Sequence, residues 1–213
     1  MFLTFEGIEG CGKSTQARRL AERLQGLGIS PLLTLEPGGT RIGLEIRRIL
    51  LDHKNQDLPP LSELFLYEAD RALHVEMVIK PALDKGTWVV CDRFFDATTV
   101  YQGVARGQDI EMIMFLNDKA SFGITPDLTF LIDCPVEVGI ARALKRNALL
   151  EDPGQDRFEK EQMDFHTAVR EGYLALAQKE PDRFVVVDGA LPEKELAECI
   201  FDHLRPHLDR RST

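Results

Sequence analysis

Phe5 to Gln16 read FEGIEGCGKSTQ, and the stretch from Gly7 to Ser14 fits the spacing G-x-x-x-x-G-K-S directly after the apolar run Phe2–Glu6. That pattern demands a strand, a tight glycine-rich turn and a helix in succession, because only then do consecutive backbone N–H groups turn inward around an anion. Gly7, Gly10 and Gly12 supply the backbone freedom such a turn needs. The helix opening near Ser14 adds the positive end of its dipole. Ile8, Glu9, Cys11 and Thr15 complete the expected phosphate-holding stretch. Lys13 is placed to reach the outer phosphates of a nucleoside triphosphate, and the Ser14 hydroxyl to ligate Mg²⁺. The bland alternative is a glycine-rich turn with a solvated lysine, and the strand–loop–helix context argues against it. Glu9 stands out, since a carboxylate among phosphates is electrostatically costly. It is expected either to point to solvent or to face away from the donor, towards a second substrate's sugar or a metal.

The rest of the chain repeats the alternation. PLLTLE (31–36), TWVVCD (87–92), LTFLID (128–133) and RFVVVD (183–188) are short strand-like runs, and like the first strand each ends on Asp or Glu. Helical patterning covers 14–27, 42–51, 61–84, 137–146, 158–179 and 193–204; in the fifth, Phe158, Gln162, Phe165, Val169 and Leu176 step by three, four or seven. Five strands interleaved with helices predict an α/β fold with a largely buried parallel sheet and ligands beyond the carboxyl ends of the strands. The acidic strand exits therefore line the expected site. The length, 213 residues, suits one domain over 1–213 with an adequate core. Cys11, Cys91, Cys134 and Cys199 fall at no metal-ligand or disulfide-framework spacing and are read as incidental thiols. No stretch reaches the roughly 18 apolar residues of a membrane span and no basic leader opens the chain, so a cytoplasmic protein with no membrane partner is expected. The net charge of -9 argues against a nucleic-acid footprint, though not against a nucleotide.

What accepts the phosphate is written further along. CDRFFDATTVYQG (91–103) follows a buried strand, and Asp92 at its exit is placed to hold Mg²⁺ directly or through water. Arg93 beside it offers a fork that suits two phosphate oxygens at once; a plain surface Asp–Arg pair is the alternative. Two unit anions brought to about 4 Å repel by about 4 kcal/mol at an effective dielectric of ~20. Donor and acceptor phosphates carry more charge than that, so they meet only among several fixed cations. Lys13, Arg47, Arg93 and a cluster near Arg142 provide them. Attack by water needs fewer, and the surplus favours an acceptor that already bears a phosphate.

Five segments now carry a resemblance. FEGIEGCGKST, EPGGTRIGLEIRRILL (36–51), LFLYEADRALH (64–74), DRFFDATTVYQG (92–103) and DRFEKE (156–161) resemble, in order and over nearly the whole chain, the thymidylate kinase family. The resemblance implies a P-loop three-layer sandwich with a five-stranded parallel sheet flanked by helices, plus a short mobile lid at about 142–158. It also implies transfer of the γ-phosphate of ATP to dTMP with Mg²⁺, in a homodimer packed through helices. On this reading Arg71 hydrogen-bonds the thymine carbonyl and Tyr67, one helical turn earlier, stacks on the base. Thr98 and Gln102 touch the base edge, Tyr101 crowds the sugar's 2′ position, and Pro37 shapes the pocket. Arg47 and Arg93 hold the acceptor phosphate. The chain departs from the family where Ala97 replaces a frequent Ser, where Tyr67 replaces a more frequent Phe, and in a longer, more acidic lid.

In that lid, ARALKRNALLEDPGQDRFEKE (141–161), Arg142 and Arg146 lie four apart and share a helix face, and Arg157 is expected to begin the next helix. Residues 8–11 of the phosphate loop include no cation, so Arg142, Arg146 and Arg157 become the expected catalytic arginines beside Lys13, Arg93 and Glu9. Three other readings stay open: a deoxynucleoside kinase, another nucleoside monophosphate kinase, and a P-loop nucleotide sensor or switch without an acceptor. A nucleoside acceptor has no use for a second phosphate-holding arginine such as Arg47.

Overall fold

The structure, a computed structural model, describes residues 1–149, 157–159 and 161–209. Five strands, β1 (Phe2–Glu6), β2 (Leu32–Leu35), β3 (Val89–Asp92), β4 (Leu128–Asp133) and β5 (Phe184–Asp188), form one sheet in the order β2-β3-β1-β4-β5. All four pairings are parallel; Phe2 sits opposite Val89, Leu3 opposite Leu128 and Thr129 opposite Phe184. β1 lies at the centre, and its five residues are all buried, as an apolar run covered on both faces must be.

The helices are α1 (Lys13–Gly26), α2 (Arg41–Leu51), α3 (Pro60–His74), α4 (Lys80–Asp84), α5 (Phe95–Thr98), α6 (Ile110–Ala120), α7 (Val136–Asn147), α8 (Met163–Lys179) and α9 (Glu193–Asp209). α1 and α9 pack on one another and on the sheet, while α8 packs on β4 and β5 and against the turn-rich segment after α5. Three layers result. The side chains between them, Leu3, Phe5, Leu24, Phe130, Tyr173 and Leu204 among others, form one continuous core.

The helix expected over 61–84 is present but widens midway. Pro81 cannot donate to Met77, and over Val75–Ile79 the turns become π-type, with the Lys80 N–H reaching Val75 O. The helix expected from Phe158 begins instead at Met163, with Gln162 as its N-cap. Phe158 lies in a turn over 157–159 and keeps step with Phe165 because their rings stack, 6.3 Å apart at 28°. Arg157 therefore does not open a helix. Three helical stretches were not anticipated: a 3₁₀ turn at His53–Asn55, Phe95–Thr98 running into a π-helix at Thr99–Ala105, and α6, whose N-cap Asp109 accepts from the N–H groups of Glu111 and Met112.

Candidate active site

The phosphate loop leaves β1 at Glu6 and enters α1 at Lys13. Gly10, at φ 68°, lies so close to α7 that a Cβ would stand 2.0 Å from Gly139 O, and Gly7, at φ 136°, would strike Ile132 O at 2.6 Å. Neither position admits a side chain. Ile8 and Cys11 are buried in the core beneath the loop. Lys13 Nζ donates to the carbonyls of Gly7 (3.0 Å) and Ile8 (2.6 Å) and lies 3.5 Å from Cys11 Sγ. Across the mouth, the Ser14 hydroxyl donates to Asp92 Oδ2.

Arg93 follows β3 with φ 71°, a left-handed conformation that a residue with a side chain adopts only when its surroundings hold it there. Its N–H reaches Phe5 O (3.0 Å), and its carbonyl accepts from Cys91 Sγ (3.0 Å). The guanidinium donates to Glu9 Oε1 (3.0 Å), the Tyr101 hydroxyl (3.0 Å) and the Tyr173 hydroxyl (3.2 Å). Tyr101 and Tyr173 in turn donate to Glu9 Oε1 and Glu6 Oε2, each at 2.6 Å. Glu9 is thus largely buried and turned to Arg93 and Tyr101 rather than to solvent. Burial alone would raise its pKa, but His166 Nδ1 at 3.4 Å, Arg93 and Lys13 outweigh it and hold the carboxyl down at about 2. Glu6 goes the other way: burial and the nearby Asp96 push it up to about 7, against the pull of Arg93, Tyr173 and the Phe94 N–H.

At the far end of the same cleft Arg71 is almost wholly enclosed, its side chain 2% exposed. Nε donates to Glu36 Oε2 (3.1 Å), NH1 to Glu68 Oε2 (2.9 Å) and Asn117 Oδ1 (2.8 Å), and NH2 to Thr98 Oγ1 (2.8 Å). Glu36 is steadied by His74 (2.9 Å), whose other ring nitrogen meets Thr34 Oγ1 (2.7 Å). Burial and Glu36 raise the neighbouring Asp70 to about 6. Arg47 has a simpler setting, with NH1 on Pro37 O at 2.8 Å. Gln102 donates to Glu63 Oε1 at 2.8 Å.

These groups converge on a cleft of about 330 Å³, the size of a nucleotide-scale site. Pro37, Arg47, Tyr67, Arg71, Thr98 and Gln102 line it together with Glu9, Gly10, Lys13 and Ser14 of the phosphate loop and the start of α1. Asp92, Arg93, Tyr101 and Arg146 line it as well. Phe65, two residues from Tyr67 and so on the other side of α3, is 51% exposed and is not a core aromatic. Among the predicted residues, Gly7, Ile8, Cys11, Gly12 and Thr15 shape the loop without lining the cleft. Two predicted lid arginines also lie elsewhere. Arg142 donates to Gly189 O (3.0 Å), and Arg157 is turned to Leu50 O (3.0 Å) and Glu63 Oε2 (2.6 Å). Of the lid placed at about 142–158, residues 150–156 lie outside the described residues. Sequence reasoning missed Glu36 as a partner of Arg71, Glu68, Asn117, Tyr173 and His166. Only Glu36 had a signal, as an acidic strand exit.

A family model described as thymidylate kinase matches residues 5–200. The chain belongs to the thymidylate kinase family. A thymidylate kinase of Trichlorobacter lovleyi is 52% identical over 208 residues, 98% of each chain. One from Geobacter sp. strain M21 is 56% identical over 207 residues, 97% of this chain and 92% of its own. A crystal structure of thymidylate kinase from Ehrlichia chaffeensis matches with a TM-score of 0.76 at 35% identity, covering 96% of this chain and 98% of its own. The thymidylate kinase resemblance read from five short segments thus extends over the whole α/β sandwich.

Proposed function

We propose that the chain transfers the γ-phosphate of ATP to dTMP, giving dTDP and ADP. The observation that carries this reading is the convergence of Arg47 and Arg93 on the cleft that also holds Lys13 and Ser14. Two guanidiniums opposite a phosphate loop fit an acceptor that is itself an anion. Arg93 and Arg47 hold the acceptor phosphate, whose oxygen is already a competent nucleophile and needs no general base. Lys13 and the loop N–H groups neutralise the donor. Tyr67 stacks on the base, Arg71 donates to its carbonyl, Thr98 and Gln102 meet its edge, Tyr101 disfavours a 2′-hydroxyl, and Pro37 shapes the pocket. Glu9 anchors Arg93. Arg146, with Arg142 and Arg157 when the lid closes, covers the transferring group and excludes water.

Ser14 and Asp92 would hold Mg²⁺. They offer a hydroxyl and a carboxylate, hard oxygen donors already side by side. Phosphate oxygens and water would complete the ion's shell. When bound, the ion would offset charge on the outer phosphates.

A homodimer is the expected assembly, through the exposed Phe65 of α3 and the exposed Met114 and Phe115 of α6. No helix among the described residues is long and apolar enough to cross a membrane; the cytoplasm is the proposed compartment, where ATP is made available. ADP release from ATP and Mg²⁺ across dTMP, dUMP, dCMP, dGMP and thymidine tests the reading. dTMP is expected to be turned over fastest and thymidine hardly at all; ATP turnover indifferent to any acceptor would overturn it.

A further inference from the structure

Asn117 does not line the cleft, yet it joins Arg71, which does, to the segment that follows α5. It sits on the inner side of α6, 5% exposed. Its Oδ1 accepts from Arg71 NH1 at 2.8 Å, while its Nδ2 donates to Thr99 Oγ1 at 2.9 Å and to Phe95 O at 3.4 Å. Thr98, beside Thr99, takes a bond from Arg71 NH2 at 2.8 Å. One amide thus ties the arginine of α3 to the segment that carries Thr98, and both come to it from distant parts of the chain.

The residue type fits that position. The guanidinium needs an acceptor and the Thr99 hydroxyl is served by a donor, and a primary amide supplies both. Aspartate would lose the donor and place another carboxylate beside Glu36 and Glu68, where Glu68 is already pushed upward by burial. Leucine would leave a buried N–H of Arg71 without a partner.

We propose that Asn117 is a positioning residue that aims Arg71 at the acceptor base and thereby sets base discrimination without touching the substrate. The proposal rests on the reading of Arg71 as the donor to a base carbonyl. A guanidinium is planar and rigid, with five N–H donors in fixed directions. Glu36 takes Nε–H, Glu68 and Asn117 take the two NH1 protons, and Thr98 takes one on NH2. With four directions fixed, the fifth points where the protein dictates. A donor so fixed donates to a pyrimidine carbonyl and opposes an amino group at the same ring position. Loss of the Asn117 bond lets the plane rotate, so the donor loses its aim before it loses its charge.

The test is displacement of dTMP and of dCMP from the full chain, by titration calorimetry, for the wild type, Asn117→Leu, Asn117→Ala and Arg71→Ala, with KM for ATP and kcat for dTMP measured alongside. Asn117→Ala leaves room for water and serves if Asn117→Leu does not fold. Asn117 variants are expected to lower the dTMP-over-dCMP preference by about tenfold, with KM for ATP within about twofold and kcat within about threefold. A merely structural asparagine would lower Tm and weaken both nucleotides alike, leaving the ratio unchanged; that result overturns the proposal. If Arg71→Ala itself leaves the ratio unchanged, the base-reading role fails and the proposal with it. If Arg71→Ala collapses the ratio and the Asn117 variants do not, only the role of Asn117 fails.

Discussion

The base end of the cleft and its lid end are both built around arginines, but they hold them in opposite ways. Arg71 is enclosed and bonded by four side chains drawn from the end of β2, α3, α6 and the end of α5. Arg146 is 56% exposed and leans on its chain neighbour Asn147 and on Glu159, and Arg142 rests on a backbone carbonyl. Burying a guanidinium among carboxylates is tolerable only when nearly every donor has a partner, so the base end is fixed as the chain folds. Exposed arginines keep their rotamers and give up little when they change partners. Recognition is placed on the rigid end, where misplacement is costly, and closure on the end that can adapt. Arg93 belongs with the rigid end despite its position near the loop, since Glu9, Tyr101 and Tyr173 fix it from three directions.

Substitutions along the cleft sharpen that contrast. Arg93→Ala should have the largest effect, lowering kcat/KM for dTMP by about 10³-fold while the Kd for ATP stays within about threefold, because it removes the guanidinium that holds the acceptor phosphate and leaves the buried Glu9 to Tyr101 and His166 alone. Arg47→Ala, which loses one contact to a carbonyl and strands no carboxylate, should lower the same ratio by about 10²-fold, mainly through KM. Arg146→Ala should lower kcat by about tenfold with KM for dTMP unchanged. Single-turnover and steady-state assays read all three, and a lid substitution that matched Arg93→Ala would break the comparison.

The smallest effect concerns stability. The Glu6 carboxyl is held near pKa 7 in the folded chain against 4.5 when unfolded, so between those pH values the folded state keeps a proton that the unfolded chain has released. Stability therefore falls as pH rises through that window, by about 3 kcal/mol at most. Glu9 acts oppositely: its contribution is complete above pH 4.5 and lost as pH falls towards 2. Melting curves of wild type and Glu6→Gln from pH 4.5 to 8 should show Tm declining in both, less steeply in the second, where Asp70, raised to about 6, still contributes below pH 6. Parallel curves would remove Glu6 as the cause.

The features legible in the sequence are those whose chemistry is local. The glycine spacing fixed the loop, and Asp92-Arg93 at a strand exit marked the acceptor side, because each needs only neighbours in the chain. The partners of Arg71 were hidden, since Glu36 and Asn117 stand far from it in sequence and meet it only through the sheet order and the packing of α3 on α6. His166 drew no notice in the sequence, yet it is fully buried against Glu9. The helix start at Arg157 was misplaced because Phe158 and Phe165 share a helical spacing that ring stacking, rather than a helix, explains. α6 was overlooked although IEMIMFLNDKA follows a capping Asp109. Its exposed Met114 and Phe115 blur the apolar stripe that a one-sided helix would display.

The most direct measurement is a crystal structure of the chain with dTMP, a non-hydrolysable ATP analogue and Mg²⁺. The guanidiniums of Arg47 and Arg93 should lie about 3 Å from the monophosphate oxygens, with Arg71 keeping its four protein partners and Lys13 exchanging loop carbonyls for phosphate. A monophosphate bound away from both arginines, or an Arg71 that abandons Glu36 and Asn117 to meet the base, would contradict the account.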